Sequence, residues 1–268
     1  MMDAGTYSLT GKKTGNMKLP LIFESPYRPD LIKRAAISIA THRLQPKGTD
    51  PSAGEKTSAA SWGTGRGASR IPRVKGSMFR RSSVAAAVAS VVGGRIPHPP
   101  RSEKRIYKRI NKKERRFALA SAIAAASSRD LVLERGHKAE IIKEVPLIVS
   151  DEIEKISKAK DLRSVLSNLG LNLDLERVLQ GSKRRSGKSR LRGRVSRIPR
   201  GPLFVVSKDR GLGMAVGSFP GVECVEANNL SVEDLAPGAH PGRLAVWSKA
   251  AITTLPKPLL DVGERIAR

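Results

Sequence analysis

Two glycine-framed stretches carry the residue types that hold phosphate, and each misses the spacing that such chemistry needs. In "GSKRRSGKS", Gly181–Ser189, glycines precede a lysine and a serine as in a phosphate-binding loop, where backbone N–H groups cradle the anion and the lysine reaches its outer oxygens. That loop needs four residues between its glycines; this stretch has five, and no predicted strand leads into it. "GLGMAVG", Gly211–Gly217, follows a predicted strand and approaches a dinucleotide fingerprint, but with one residue too many before its last glycine, so a plain strand-to-helix turn accounts for it. Proton-transfer and metal chemistry fare no better. His42, His98, His137 and His240 are scattered without carboxylate or metal-ligand spacing and suit structural or surface roles. The single Cys224 excludes an internal disulfide and a cysteine-rich zinc site and suits a reducing cytosol; beside Glu223 in a predicted strand it reads as a small core residue. No catalytic set, metal site or cofactor follows from these residues.

What the chain has in excess is cations. Fifty Lys and Arg stand against 24 Asp and Glu, a formal +26 that repels itself unless a polyanion neutralises it, and nucleic acid is the first candidate. An anionic membrane is the second, but the longest wholly apolar runs, Val84–Ala89 and Ala122–Ala126, fall far short of the roughly 20 residues that span a bilayer. Met1–Thr10 has neither the basic start nor the apolar stretch of a secretory signal. The charge is also unevenly placed. Residues 41–116 hold 19 Lys and Arg against 4 acids, residues 181–200 hold 9 against none, and these windows together account for 24 of the 26 net charges. The pentapeptide SRIPR occurs once in each, at Ser69–Arg73 and Ser196–Arg200. Its proline fixes φ and biases the preceding residue towards extended geometry, giving a stiff, doubly charged peptide whose arginines point outside the chain.

The elements that must position these cations follow from hydrophobic periodicity. Leu19–Glu24 is a short apolar run, and a helix is predicted from about Pro29 with Leu31, Ile32, Ala35 and Ile39 on one face. A second helix starts at Asn111, where Glu114 three residues on makes a capping-box-like signal, and Phe117, Ala120, Ile123 and Ala124 form its buried stripe. "VPLIVS", "PLFVVS", "VECVEA" and "RLAVWS" read as four buried strands separated by helical segments at Asp151–Leu169 and Val232–Leu235. The expected fold class is α/β: one domain over residues 1–268 with a largely parallel sheet flanked by helices. Residues 44–100, rich in Gly, Pro, Ser and Arg, follow neither period and read as an extended loop insertion ordered only by a partner; residues 181–200 read as a disordered basic arm. Lys112, Lys113, Arg115 and Arg116 crowd the first turns of the second helix, where the dipole favours anions; each costs about 0.3–1 kcal/mol there, so phosphate contacts explain them better than helix stability does.

Four blocks in order, "SWGTGRGASRIPRVKGS", "VVGGRIPHPPRSEK", "INKKERRFALASAIAA" and "PGAHPGRLAVWSKAAI", resemble large-subunit ribosomal protein four in its archaeal and eukaryotic form over nearly the whole chain. The resemblance implies an α/β body on the outside of the large subunit, in the cytoplasm, and a loop that threads into large-subunit ribosomal RNA with its tip at the wall of the nascent-peptide exit tunnel. Implied partners are that RNA, neighbouring large-subunit proteins and the nascent peptide near the tip, with no membrane, no homo-oligomer and no cofactor, magnesium entering only through the RNA. In the loop the RNA-binding candidates are Trp62, Arg66, Arg70, Arg73, Lys75, Arg80, Arg81, Arg95 and His98, and Arg70, Ile71, Pro72 and Arg73 are the tunnel-proximal ones. Lys104, Arg105, Lys108 and Arg109 join Lys112, Lys113, Arg115 and Arg116 at the helix start. The arm candidates, assigned from charge, are Lys183, Arg184, Arg185, Lys188, Arg190, Arg192, Arg194, Arg197 and Arg200. After Ser77 the chain reads "MFRRSSVAAAVASVV" where the archaeal branch more often shows His, Gly and aromatic residues, so contacts of Met78 to Val92 do not carry over.

Physically, such a loop packs nucleic acid instead of reading bases. Arginines bridge phosphates from separate RNA helices, and Gly63, Gly65, Gly67 and Gly76 let backbone come close. Folded A-form RNA is recognised by shape, 2′-hydroxyls and phosphates. The expected function is a structural and assembly role in the large ribosomal subunit, without enzymatic activity. Two other classes stay open at this point: a non-ribosomal RNA-binding or nucleoid protein with the same charge, and a nucleotide-dependent enzyme using Gly181–Ser189. Cosedimentation with large subunits and measurable nucleotide affinity separate the three.

Overall fold

The computed structural model describes residues 2–267, with side chains through residue 264. The chain divides into two compact units, one formed by residues 1–40 with 108–268 and the other by residues 41–107. The chain opens with β1 (Asp3–Tyr7) and β2 (Lys13–Lys18), an antiparallel hairpin absent from the expected elements. β2 is an edge strand, polar and exposed along almost its whole length, so it has no apolar alternation to betray it. Glu144 ties the hairpin down by accepting from the Gly5 N–H (2.6 Å) and the Lys13 ammonium (2.7 Å).

After a 3₁₀ turn at Leu21–Glu24 comes α1 (Pro29–Thr41), which buries Ile32 and Ala35 as its periodicity predicts. The second unit contains β3 (Ala59–Ala60) and β4 (Arg73–Val74). The first unit then continues with α2 (Lys112–Ser127), α3 (Arg129–Glu134), β5 (Leu147–Val149), α4 (Ala159–Asn168) and α5 (Asn172–Gly181). A small excursion of β6 (Lys183–Arg184), α6 (Gly187–Leu191) and β7 (Ser196–Arg197) follows. The chain closes with β8 (Leu203–Val206), α7 (Leu212–Val216), β9 (Glu223–Glu226), α8 (Val232–Leu235), β10 (Ala245–Ser248), α9 (Lys249–Thr253) and α10 (Lys257–Ala267).

All four strands expected from the apolar runs form, and with the hairpin they make one six-stranded sheet in the order β2-β1-β5-β10-β8-β9. Pairing from β1 to β9 is parallel and only β2 runs against it. Side chains alternate between two cores. Ile148, Leu203, Val205, Ala245 and Trp247 pack on one face with residues of α1, α2, α8 and α10. Leu147, Val149, Phe204, Val206 and Val246 pack on the other with residues of α4 and α7. The body is therefore an α/β layered fold with a mainly parallel sheet.

Three local expectations change. α2 starts after Asn111 as expected, but the Asn111 side chain makes no cap bond and Glu114 instead meets Arg34 at 2.7 Å. Nor does α2 bury a single stripe: Ala118, Ala120, Ala122, Ile123, Ala125 and Ala126 are all buried, while Phe117 and Ala124 are only half covered. Packing against Leu21–Glu24, α8 and α10 leaves the helix surrounded, and its small side chains allow the close approach. The stretch expected as one helix over Asp151–Leu169 is split, because a 3₁₀ turn at Asp151–Lys155 tucks Ile153 and Glu154 into the core before α4 begins. Glu154 there accepts from the Ser207 N–H (2.8 Å) and the Ser248 hydroxyl (2.7 Å), spanning the ends of two strands.

Two buried charge clusters stabilise the body. Arg243, fully buried, donates from Nη1 to Glu223 (2.6 Å) and the Asp234 carbonyl (2.9 Å), and from Nε to the Gly201 carbonyl (2.9 Å). Asp174, also fully buried, accepts from His137 Nδ1–H, the Lys138 N–H and Arg177 Nε. Burial pushes the Asp174 carboxyl up, but the His137 and Arg177 hydrogen bonds outweigh it and hold it at about 2. The His137 imidazole is itself pushed below its ordinary value by burial.

Glu223 is partly exposed and keeps Arg200 as a second ion-pair partner, so R243M strands no charge; it leaves the Gly201 and Asp234 carbonyls without their donor and should lower the urea-unfolding free energy by about 1–3 kcal/mol. For Asp174 the folded value lies below that of the unfolded chain, so its contribution is complete above about pH 4 and fades as pH falls towards 2. D174N should flatten the acid limb of a stability-against-pH curve in that window, by about 2 kcal/mol, and an unchanged limb would refute the assignment.

Candidate nucleic-acid interface

Residues 41–107 contain short pairings where the sequence shows no period. β3 and β4 lie antiparallel, and β4 is held on its other side by Val74 N–H to Val84 O and Ala86 N–H to Pro72 O, both 2.9 Å. Two turns leave this small sheet, residues 61–72 and 75–83. Gly63, Gly65 and Gly67 in the first turn have φ of +77°, +80° and +61°, and an added Cβ at any of them would meet nothing within 4 Å. Their glycine requirement is thus conformational, with open space left beside the backbone.

Around the first turn Arg66 and Arg70 are exposed and have no ion-pair partner among the described residues. Ile71 and Pro72 are half covered. Arg73 is engaged: its guanidinium lies 5.1 Å from the centroid of the half-exposed Trp62 ring, and Nη1 donates to the Ser83 carbonyl at 3.0 Å. Lys75, Arg80 and Arg81 are exposed on the second turn, where Met78 is fully exposed with φ +67°. Arg95 pairs with Glu55 at 3.4 Å, and His98 is exposed. Lys104 and Arg105 are exposed too.

At the start of α2, Lys112, Lys113, Arg115 and Arg116 are all exposed, as are Lys108 and Arg109 just before it. Because Asn111 provides no side-chain cap, the first-turn N–H groups and four cations face the same end of a sixteen-residue helix. An anion there meets both the helix dipole and the side chains.

The expected disordered arm is instead a folded hairpin. β6 and β7 pair antiparallel, with Lys183 opposite Arg197 and Arg184 opposite Ser196, and the Arg185 N–H donates to Val195 O at 2.8 Å. α6 forms its tip. Lys183, Arg184, Lys188, Arg190, Arg192, Arg194 and Arg197 are exposed and Arg185 is half covered, none with an ion-pair partner among the described residues. Arg200 differs, forming an ion pair with Glu223, which also holds Arg243. Glu223, Arg177 and Arg243 were absent from the candidates although they hold the root of this arm. The signal available was a carboxylate, Glu223, at the start of a predicted strand.

The enzyme-like stretches resolve physically. Gly181 ends α5, so a helix and not a strand precedes the glycine-framed stretch. In the turn before α7, the Asp209 carboxylate accepts from the Gly211 and Gly213 N–H groups at 2.9 and 3.1 Å, occupying the amides that a phosphate would need. Burial and neighbouring acids push the Cys224 thiol up to about 12, so it stays protonated. Among the described residues no group of His, Cys, Asp and Glu is placed to hold a metal, and no helix is long and apolar enough to cross a membrane.

Comparison with known proteins identifies the family. Proteins named large ribosomal subunit protein uL4 match from end to end: that of Methanosphaera stadtmanae is 48% identical over 95% of this chain and 96% of its own length. The Methanopyrus kandleri protein is 43% identical over 96% and 99%, and the Methanococcus aeolicus protein 45% over 96% and 99%. The family model described as Ribosomal protein L4/L1 family spans residues 17–257, and with these relatives it establishes that the chain belongs to that family.

Proposed function

We propose that the chain is a structural constituent of the large ribosomal subunit that binds and organises large-subunit ribosomal RNA, in the cytoplasm where that subunit works. The observation that carries this reading is the separation of exposed cations without an acidic partner among the described residues, at Arg66 and Arg70, the start of α2 and residues 183–197, from a body whose buried Arg243, Asp174 and Glu154 are each held by partners within the chain. Phosphate contacts account for cations at a helix start and opposed across a β-ribbon; intrachain stability does not. The turn bearing Arg70, Ile71, Pro72 and Arg73 is the segment assigned to the tunnel wall and the nascent peptide. Its open, glycine-rich backbone can lie flat against RNA. A helix, not a strand, leads into Gly181, and this disfavours the nucleotide-enzyme alternative at Gly181–Ser189. Neighbouring large-subunit proteins are the remaining partners.

Gradient sedimentation should find the chain stoichiometric with large subunits; binding to RNA in general, with no enrichment in that fraction, would favour a non-ribosomal RNA-binding protein. Affinity for deproteinised large-subunit RNA should fall by roughly 10³-fold or more between 50 and 200 mM salt, as expected for six or more neutralised phosphates. A nearly salt-independent affinity would sink the phosphate account. In the free chain, trypsin should cut first within residues 61–83, and bound RNA should protect those sites; cleavage unaffected by RNA would place the contact elsewhere.

A further inference from the structure

The two SRIPR copies have the same sequence and, in the fold, the same division of labour. In the first, the Arg70 backbone is pinned, its carbonyl accepting from the Ser61 hydroxyl at 2.9 Å, while its side chain is exposed and has no ion-pair partner among the described residues. Arg73, three residues on, is held by the Trp62 face and the Ser83 carbonyl. In the second copy, the Arg197 backbone is pinned in the β6–β7 ladder opposite Lys183, and its side chain is again exposed without such a partner. Arg200 is held by Glu223, and its carbonyl accepts from Arg177 Nη2 at 2.7 Å. Pro199 between them packs at Gly181, where an added Cβ would come 2.6 Å from the proline ring.

We propose that each copy splits its arginines into a lock and a probe: Arg73 and Arg200 are positioning residues that fix the turn to its own chain, and Arg70 and Arg197 are the side chains presented to RNA phosphate. The presented half rests on the RNA-binding function proposed above; the lock does not. The arm shows why a lock is needed. An isolated two-stranded hairpin is marginal in water, and this one sets Lys183 directly opposite Arg197, a like-charge pair that opposes the ladder. Arg200 offsets that at the root. It reaches Glu223, whose other oxygen is fixed by the fully buried Arg243, so the arm is anchored to a carboxylate that cannot move. Arg177 adds a second tether, being itself gripped by the buried Asp174. A cation so engaged is held in place by its own chain, and turning it fully to phosphate would break that contact. In the loop, stacking on Trp62 does for Arg73 what the ion pair does for Arg200.

Four single variants of the full chain, R70Q, R73Q, R197Q and R200Q, separate the roles through two readouts. Amide hydrogen exchange without RNA reports the locks, at the Arg185 N–H for the arm and the Val74 N–H for the loop. R200Q and R73Q should each speed exchange at their own reporter by about tenfold or more, whereas R197Q and R70Q should not speed it. R200K, which still reaches Glu223, should recover most of the arm's protection. The salt dependence of binding to deproteinised large-subunit RNA reports the probes: R70Q and R197Q should each reduce the slope by roughly 0.7–0.9, and R73Q and R200Q by less than half of that. Unchanged exchange in R73Q and R200Q, or equal slope losses in all four, overturns the division. If the wild-type chain does not bind the RNA, the presented role and the proposed function fail together, and hydrogen exchange still decides the lock.

Discussion

Self-repulsion among fifty cations in 268 residues constrains everything else in this molecule, because a compact body cannot hold +26 within its own core. The chain meets the constraint by segregation. Outside residues 41–116 and 181–200, 22 cations face 20 acids; the fully buried Arg243 meets Glu223, and the half-covered Arg177 meets the buried Asp174. Carboxylates are used where desolvation would otherwise be prohibitive, and few are left for the surfaces that carry the excess. Those surfaces then stay electrostatically unsatisfied until a polyanion arrives, which makes the fold of the body and the affinity of its appendages two consequences of one charge distribution.

Much of the body could be read from hydrophobic pattern because parallel strands buried on both faces appear as continuous apolar runs, as at Leu147–Val149, Leu203–Val206 and Ala245–Ser248; Glu223–Glu226 also forms where expected, but as a half-covered edge strand and not a buried one. The β1–β2 hairpin could not, since one of its strands faces solvent and its anchor, Glu144, lies far away in sequence. α2 misled in the opposite sense: its alanines suggest a one-sided stripe, and only the packing of three neighbours shows that nearly every face is covered. Charge identified the cationic surfaces correctly as surfaces, yet charge alone does not distinguish a free arginine from a tethered one. Arg70 and Arg73 are equivalent in sequence, and the Trp62 ring and the Ser83 carbonyl set them apart.

Order differs between the two appendages, and with it the cost of using them. The arm of residues 181–200 is fixed at its root by Glu223 and Arg177, so much of the entropy of arranging its cations is lost on folding, before any contact is made. The turn of residues 61–72 has three glycines in left-handed conformations with open space beside each, and its restraints lie at its ends, in the β3–β4 pairing, Ser61 and Arg73. Ordering that turn against a surface draws on the free energy of binding itself. In the proposed function this asymmetry suits a chain that must first find its site and then fill a crevice: preordered cations on the arm and at the start of α2 supply orientation at little entropic cost. A pliable, small-residue turn can conform to whatever RNA encloses it. Glycine at residues 63, 65 and 67 is then a requirement of the partner's shape as much as of this chain's own backbone.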